Sequence, residues 1–537
     1  MIYYLTMKRE STHYALHLIE HLTKIGVALS AERDLTRLLE LIIEEARNLT
    51  SADGGTLYIM SDDGQFLDFA IVQNKTLGLR MGSAGGEIDW PPVRLTDDQN
   101  SRNITNVSAY AALTGEVVNI PDVYNAMGFN FEGTREFDAR TGYHSRSMLV
   151  VPMRNHEQEI IGVLQLLNAM DEGTNQVIDF SRESQMITES FASQAAVALS
   201  QNRLILDLEN LLDAFVKTIA MAVDEKSPYT GGHIRRVADI TMAIADKINK
   251  TDKGPFSQVH FSEDQMKELR FAAWLHDLGK IATPEYIVDK TTKLETIFDR
   301  MELVRAKGEI ILREHYCTSL RKASEADQDA NHSQDSENDF ARQFREDMNF
   351  LVDVNVGAKS LGQEDLARLR AIGTRKWVCD GRIEAFLTEN ELENLSVQRG
   401  TLTDQERDII NNHAHVTRKL LSQLPFPKKL KNVPDFAGSH HEKLNGSGYP
   451  RGLKEDEIPM QARILALADI FEALTAKDRP YKRANTLSEA ISILSSLVKA
   501  RHIDADIFKL FMDERVYLEY AHREMPLQQI DKTDFSV

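Results

Sequence analysis

The first 200 residues alternate between helical and strand-like patterns of apolar positions. Helical spacing occurs in LLELIIEEARNL, and the shorter apolar runs typical of β-strands occur in GGTLYIM and FLDFAIV. A hairpin with HEQE at its turn is predicted by SRSMLVVPMRN and EIIGVLQLLN, and a second helix is expected from about Arg182. Helix, sheet and helix in this order predict an α+β domain over residues 14–206.

The predicted second helix continues as a linking helix over residues 182–222, with a seven-residue repeat. The positions that recur every seven residues are Phe191, Ala198, Ile205, Leu212 and Ile219. Three residues after each of the first four lies a second set, which is Gln194, Gln201, Leu208 and Phe215. Such a repeat is typical of a coiled-coil seam, so a parallel homodimer is predicted along this helix. The alternative interpretation is an ordinary amphipathic helix that packs on its own domain.

Residues 216–513 carry almost continuous helical patterns, with one insertion at residues 294–398. Within the insertion, a long charged helix is predicted by LETIFDRMELVRAKGEIILREHY, and further helices by DLARLRAIGTRKW and IEAFLTENELENL. A flexible tip is predicted by the polar, acidic stretch ASEADQDANHSQDSENDF. The insertion is therefore interpreted as a helical arm for dimer or partner contacts, with an inert insertion as the alternative.

Length and composition are those of an ordinary globular protein. At 537 residues, 42% apolar and 27% charged, the chain is long enough for two or three domains. No apolar run approaches the roughly 20 residues that span a bilayer, and the start, MIYYLTMKRE, is too weakly apolar for a signal peptide. Cys317 and Cys379 are the only cysteines, so a cytoplasmic location without membrane insertion is expected. The net charge of −19 argues against duplex nucleic acid as a partner, because that binding needs cationic side chains.

Histidine and aspartate recur at six informative positions of the helical region. A single histidine in a helix is more often a core or surface residue than a ligand, but six candidates exceed the needs of one tetrahedral zinc. Imidazole and carboxylate together suit two divalent metal ions, with iron or manganese favoured by ligand type. The candidate metal ligands are His276, Asp277, His413, His440, His441 and Asp469.

The N-terminal segment contains four further motifs. They are Asn119-Ile-Pro-Asp-Val-Tyr124, Phe137-Asp-x-x-Thr-Gly-Tyr143, SMLVVPM and GVLQLLN. On these motifs the segment resembles a GAF domain, which implies an α+β sensory module that binds a small molecule or dimerises. Members that bind cyclic nucleotides carry an Asn-Lys…Phe-x-x-x-Asp-Glu signature, and this chain has Asn168-Ala169 and Phe180…Ser184-Gln185 instead. The small-molecule ligand of this module is therefore unknown.

Four motifs stand together in the helical region. They are TGGHIRRV, His276-Asp277-Leu-Gly-Lys280, HHEKLNGSGYPRGL and IPMQARILALADIFEALTAKDRPYK. On these motifs residues 216–513 resemble an HD-GYP domain, a subgroup of the HD phosphohydrolases. Its members are all-helical, hold two or three metal ions, and hydrolyse the bacterial messenger cyclic di-GMP to pGpG, often onward to GMP. The resemblance implies a cyclic di-GMP phosphodiesterase that the GAF domain regulates.

The resemblance also assigns roles to single residues. Asp277 would be catalytic by bridging both metal ions, and Lys280 would be catalytic by facing the scissile phosphate. The remaining metal ligands would be His276, His413, His440, His441 and Asp469. Glycine lets the backbone turn sharply beside a bulky dinucleotide. Substrate contacts are expected at Gly448, Tyr449, Arg479 and Lys482.

Some positions depart from the HD-GYP pattern. Leu444-Asn445 stands where the family usually has Trp-Asp, and Ala414 where it usually has proline, but neither is a ligand position. Tyr229 stands where three-metal members have glutamate. A two-metal site is therefore predicted, with His233 interpreted as a marginal ligand. Two rival functions stay open, namely hydrolysis of another cyclic dinucleotide or nucleotide, and signalling by a non-catalytic adaptor.

Overall fold

The alternating apolar segments near the N-terminus form an antiparallel sheet in the first of two units. The structure, a computed structural model, describes residues 20–82, 85–96, 101–171, 173–226, 231–325, 330–379, 381–476 and 484–535. The units are Met1–Leu211 and Leu212–Val537. Among the described residues, no helix has both the length and the apolar character needed to span a membrane.

The first unit is built from antiparallel strands and flanking helices. Its strands are β1 (Ala52–Met60), β2 (Phe66–Asn74), β3 (Leu79–Met81), β4 (Val93–Arg94), β5 (Val118–Ile120), β6 (Met148–Arg154), β7 (Ile160–Met170) and β8 (Val177–Ile178). Its helices are α1 (Leu35–Thr50), α2 (Val107–Thr114), α3 (Glu132–Thr141) and α4 (Arg182–Asp224), the last of which continues into the second unit. The strand order is β3-β2-β1-β7-β6-β5, with β4 beside β2 and β8 beside β7. The predicted α+β architecture and the β6–β7 hairpin are confirmed.

Helix α1 and the beginning of α4 share one hydrophobic core with the sheet. Asp34 caps α1, because its side chain accepts a hydrogen bond from the backbone N–H of Arg37. Leu38, at helical spacing from the other apolar residues of α1, is fully buried against the strands. Phe191 and Ala198 of α4 are buried in the same core. These two positions of the seven-residue repeat therefore pack on their own domain, as the alternative interpretation had it.

The later positions of the repeat in α4 have a different environment. Ile205, Leu208, Phe215 and Ile219 are exposed by 46%, 56%, 58% and 41%. Leu212 packs against a small core of the second unit. Large apolar side chains exposed at this spacing are typical of a helix that pairs with another helix. The homodimer seam stays a prediction, now confined to residues 205–219.

The second unit is mostly helical, with one short hairpin. Its elements are α5 (His233–Lys250), α6 (Glu263–Leu275), α7 (Glu285–Val288), α8 (Met301–Glu325), α9 (Ala330–Val356), α10 (Gln363–Gly373), β9 (Lys376–Cys379), β10 (Arg382–Ala385), α11 (Glu389–Leu395), α12 (Asp404–Leu421), α13 (Val433–Gly438), α14 (Met460–Thr475), α15 (Leu487–Lys499), α16 (Ala505–Asp513) and α17 (Val516–Glu524). The largest core joins α5, α14, α15, α16 and α17. Ile240, Ile244 and Ile248 supply the face of α5, because residues four apart lie on one side of a helix.

The insertion at residues 294–398 has a hydrophobic core of its own, which includes Val304, Phe344, Leu369 and Phe386. Its first helix begins at Met301 and not at Leu294. Residues from Ala330 onward are helical, although a flexible tip was predicted there, and residues 326–329 lie outside the described part of the chain. The structure also adds the antiparallel β9–β10 hairpin where only helices were predicted.

Candidate active site

The site begins where helix α6 ends. Ser262 and Gln265 form a capping box that fixes the start of α6. The helix ends at Leu275, so His276 and Asp277 follow directly and are nearly inaccessible to solvent. The chain then turns into a short 3₁₀ helix at Leu278–Ala282, which carries Lys280. Two polar side chains are thus buried at a helix end, which requires partners for both of them.

A close backbone contact brings α12 and His413 to this turn. The N–H of Gly279 donates to Thr417 Oγ1 at 2.8 Å, and Thr417 Oγ1 donates to the carbonyl of His276 at 2.9 Å. A β-carbon on Gly279 would lie 2.0 Å from the carbonyl oxygen of His413. Only glycine therefore permits this approach.

Replacing Gly279 by alanine is expected to push the turn away from α12. An added methyl group in a closely packed contact costs about 1–3 kcal/mol of folding free energy. Thermal unfolding and metal content should both fall relative to the wild type. The matched control is Gly133→Ala in α3, where a β-carbon meets nothing within 4 Å. A Gly279→Ala protein that unfolds and binds metal like the wild type would contradict the role of this contact.

Three of the predicted ligands have their imidazole rings oriented in the same way. The Nδ1 atoms of His276, His413 and His440 hydrogen-bond the carbonyls of the residues three positions earlier, at 2.8, 2.6 and 2.6 Å. A carbonyl only accepts, so each Nδ1 carries the proton and each Nε2 keeps its lone pair for another partner. Such backbone contacts are the usual way in which a protein orients metal-binding imidazoles.

Five of the six predicted ligands lie, together with His233, in two groups that could hold metal ions. One group is His413, His440 and His441, and the other is His233, His276 and Asp277. Nε2 of His413 lies 3.4 Å from Nε2 of His440 and 3.4 Å from Oδ1 of Asp277. The other oxygen of Asp277, Oδ2, lies 3.4 Å from Nε2 of His276. Asp277 therefore faces both groups at once.

Asp469 of α14 is a second carboxylate between the groups. Its Oδ1 lies 3.4 Å from Nε2 of His233 and 3.7 Å from Nε2 of His276. Its Oδ2 lies 3.9 Å from Nδ1 of His441. With Asp277, it gives the site two carboxylates that reach histidines of both groups.

His233 is closer to the centre than the sequence interpretation allowed. It is the first residue of α5, and its Nε2 lies 3.4 Å from Oδ2 of Asp277. Its Nδ1 contacts Glu472, whose other oxygen accepts a hydrogen bond from Nε of Arg236 at 2.6 Å. Glu472 was not identified from the sequence. The available signal was its position one helical turn after Asp469, which places both carboxylates on one face of α14.

The protonation states follow from burial and from the two carboxylates. Burial lowers the pKa of His413, lowers that of His440 well below its usual range, and lowers that of His441 to about 3. Burial opposes a charge on His276 too, but Asp277 and Asp469 raise its pKa to about 9. Burial would also raise the pKa of Asp277, yet Lys280 and His276 hold it well below its usual range. The site therefore combines neutral imidazoles at His413, His440 and His441 with carboxylates that stay ionised and that favour a positive charge on His276.

This donor set fits divalent metal ions. Nε2 of His276 is buried and has no hydrogen-bond partner within the part of the chain that the structure describes. Neutral imidazoles and ionised carboxylates are the protonation states that metal ions require. The two carboxylates favour a positive charge on His276, and a bound metal cation would supply that charge in place of the proton.

Two residues assigned to the substrate, Lys280 and Tyr449, contact this cluster. Lys280 Nζ lies 2.6 Å from Oδ2 of Asp277. The Tyr449 ring packs 4.8 Å from the His441 ring, measured between centroids. A β-carbon on Gly448 would lie 2.3 Å from the backbone nitrogen of Lys443, so the turn needs glycine there. Arg479 and Lys482 lie outside the described residues.

The first unit contains a cavity of about 390 Å³ beside its sheet. Trp90 contacts Phe69 and Phe137 edge to face in its lining, with ring centroids 5.2 and 6.0 Å apart. Buried Gln165 accepts hydrogen bonds from the Tyr58 hydroxyl and from Ser108 Oγ, each at 3.0 Å. A cavity lined by aromatic, aliphatic and polar side chains has the form of a small-molecule site.

Family models match most of the chain. A GAF domain model matches residues 34–199, and HD domain models match residues 230–334 and 389–507. The chain therefore carries a GAF domain followed by an HD domain. The gap between the two HD matches falls inside the insertion.

Curated relatives are similar over part of the chain. The 3'3'-cGAMP-specific phosphodiesterase 1 of Vibrio cholerae is 34% identical over 137 residues, 25% of this chain and 31% of the relative. The cyclic di-GMP phosphodiesterase of Thermotoga maritima is 40% identical over 130 residues, 22% of this chain and 35% of the relative. This chain thus spans about a third of each relative. The solved GAF domain of an Acinetobacter phosphoenolpyruvate-protein phosphotransferase covers 35% of this chain and 95% of its own, at 14% identity and a TM-score of 0.24.

Proposed function

We propose that the helical unit is an HD-GYP phosphodiesterase that hydrolyses cyclic di-GMP to pGpG, with onward hydrolysis to GMP as an open alternative. The observation that carries the proposal is that Asp277 and Asp469 both lie between the two histidine groups. Carboxylates shared in this way would hold two cations, whose chemistry suits in-line displacement at phosphorus. The names of the relatives from Vibrio cholerae and Thermotoga maritima support a cyclic dinucleotide as the substrate.

Two divalent metal ions, iron or manganese, are proposed for this site. Mixed imidazole and carboxylate ligands suit these metals. When bound, they lower the pKa of a water molecule and polarise the phosphate oxygens. The residues that would hold them are His233, His276, Asp277, His413, His440, His441 and Asp469.

The remaining residues would bind the substrate and stabilise charge on it. Lys280 offers an ammonium group beside Asp277, where negative charge builds on the phosphate. Tyr449 offers a ring for stacking on a guanine base, and the tight turn at Gly448 leaves room for the dinucleotide. Arg479 and Lys482 stay predicted phosphate or guanine contacts on the basis of the resemblance alone.

The substrate is tested by incubating the purified, metal-loaded chain with cyclic di-GMP, 3'3'-cGAMP and a linear dinucleotide, and resolving the products by chromatography. Faster turnover of cyclic di-GMP than of 3'3'-cGAMP is expected. Faster turnover of 3'3'-cGAMP would favour the alternative function, hydrolysis of another cyclic dinucleotide, which the name of the Vibrio cholerae relative supports. Metal-free protein is the control. No turnover with any metal would favour a non-catalytic adaptor.

Regulation by the GAF domain is the second part of the proposal. The cavity beside the sheet is the proposed site of its small-molecule ligand, and a homodimer along α4 is the proposed assembly. Exposed apolar residues at seven-residue spacing support that assembly.

Replacing Leu208 and Phe215 together by glutamate is expected to convert a dimer into a monomer. Like charges would face each other across the seam, and the apolar contact would be lost. Light scattering measures the mass. The matched control is Asn210→Glu with Lys217→Glu, two exposed positions with the same spacing on the same helix. A wild type that is monomeric, or a glutamate variant that stays dimeric, would contradict the seam.

A further inference from the structure

Lys226 makes three hydrogen bonds to the turn that carries Lys280. It follows the end of α4 by two residues. Its Nζ donates to the backbone carbonyls of Lys280, Ile281 and Thr283 at 3.1, 2.8 and 2.7 Å. An ammonium group has three N–H donors, and each of the three is matched to one carbonyl. The carbonyl of Lys280 also accepts a hydrogen bond from the backbone N–H of Thr283 at 3.0 Å. Lys226 adds a donor to this carbonyl and supplies one to the carbonyls of Ile281 and Thr283, at the end of the helical turn.

The turn needs such an anchor because little of it is packed. Gly279 is the buried residue of the 3₁₀ helix at Leu278–Ala282, and Ile281 is 58% exposed. Thr417 holds the start of the turn through the N–H of Gly279. Lys226 holds its end. The backbone of Lys280 lies between these two anchors, so its ammonium group is directed by both.

The same segment also holds the helix that carries His233. Oδ2 of Asp224 accepts hydrogen bonds from the backbone N–H of Gly232 at 3.2 Å and of Ile234 at 3.4 Å. Helix α5 begins at His233, and its own N-cap residue, Gly232, has no side chain to cap it. Asp224 therefore acts as a cap from outside the helix. Two residues that are two positions apart thus hold two separate parts of the site.

We propose that Lys226 is a positioning residue for phosphodiester hydrolysis, and that Asp224 likewise positions His233 by capping the start of α5. Lys226 fixes the backbone from which Lys280 reaches the phosphate, so the end of α4 sets the rate of the chemical step. This inference rests on the proposed function, since it assigns a rate effect to a residue that touches neither metal nor substrate.

The test is a double-mutant cycle between Lys226 and Lys280. Lys226→Met keeps the aliphatic chain and removes the donors. We expect kcat to fall about tenfold, since a small misplacement near a reacting group is costly, with KM and metal content unchanged. In the Lys280→Ala background the same change should lower kcat by less than about twofold, because coupled residues are not additive. Lys226→Arg should recover part of the loss.

The control is Lys217→Met, an exposed lysine of the same helix, which should behave like the wild type. An equal loss of kcat in both backgrounds, loss of metal with Lys226→Met, or no change in kcat would overturn the positioning role.

Hydrogen exchange gives a readout that does not depend on activity. Amides of residues 278–285 should exchange faster in Lys226→Met than in Lys217→Met, because the end of the turn is released. If amide exchange in Lys226→Met is the same as in Lys217→Met, and the wild type is active, Lys226 does not anchor the turn, and the proposed function is unaffected. A wild type that hydrolyses no cyclic dinucleotide, with faster exchange in Lys226→Met, would overturn the proposed function and the rate effect while leaving the anchor in place.

Discussion

Replacing Asp277 by alanine should abolish hydrolysis and strip metal from the site. Its two oxygens lie 3.4 Å from Nε2 of His413 on one side and of His276 on the other. Without this carboxylate, Asp469 is the one predicted carboxylate ligand left between the two histidine groups. Loss of an outer partner of a ligand already costs about 10–100-fold in metal affinity, and loss of a ligand shared by two ions should cost more.

Elemental analysis beside steady-state kinetics measures both effects. The matched control is Asp408→Ala, an exposed aspartate of the helix that carries His413, which should keep metal and activity. Turnover close to the wild type in Asp277→Ala, with two bound metal ions, would show that the site is wrongly assigned.

The ligands could be predicted from the sequence because each of them stands in a local motif with an unusual residue content. Adjacent histidines at His440 and His441, and an acid following His276, are costly to bury without partners, so the sequence alone favours a joint role for them. His233 was underestimated for a different reason. Its importance depends on contacts with Asp277 and Asp469, which are distant along the chain and are joined only by the fold.

Glu472 and Lys226 were invisible to the same reasoning. Glu472 acts through His233 and Arg236, and Lys226 through backbone carbonyls, so neither has a partner that a motif would identify. Charged residues in helices are usually solvated, and the one local signal was the position of Glu472 one helical turn after Asp469. The role of Glu472 follows from its contacts with α5, and that of Lys226 from its contacts with the turn at Lys280.

The strands of the first unit were predictable because short apolar runs bounded by turn residues are typical of strands buried on both faces, as β1 and β6 are. The β9–β10 hairpin was not. Both of its strands have four residues, too few for a period to stand out, and most of their described side chains are exposed. Its turn uses Gly381 at a φ of +75°, a single glycine that a helical interpretation tolerates.

The seven-residue repeat of α4 shows how one pattern serves two packings. Phe191 and Ala198 are buried in the domain core, whereas Leu208 and Phe215 are exposed. Apolar spacing fixes which face of a helix is buried, but not what buries it. The sequence therefore predicted the face and left its partner open.

Lys280→Ala separates stabilisation of the phosphate from metal binding. A protonated lysine has no lone pair and cannot be a ligand, so the variant should keep both metal ions. Its ammonium group lies 2.6 Å from Oδ2 of Asp277, so it would be close to a phosphate bound beside this carboxylate. Removing a donor of this kind costs about 2–4 kcal/mol in the transition state, which is about a hundredfold or more in rate.

Lys280→Arg is the matched variant for this prediction. It keeps the charge, but a planar guanidinium cannot take the place of a compact ammonium beside Asp277, so only part of the rate should return. Metal content and kcat are measured on the same preparations of wild type, Lys280→Ala and Lys280→Arg. Full activity in Lys280→Ala would exclude a role at the phosphate. Loss of metal in step with loss of rate would show instead that Lys280 acts by holding Asp277 in its ligating position.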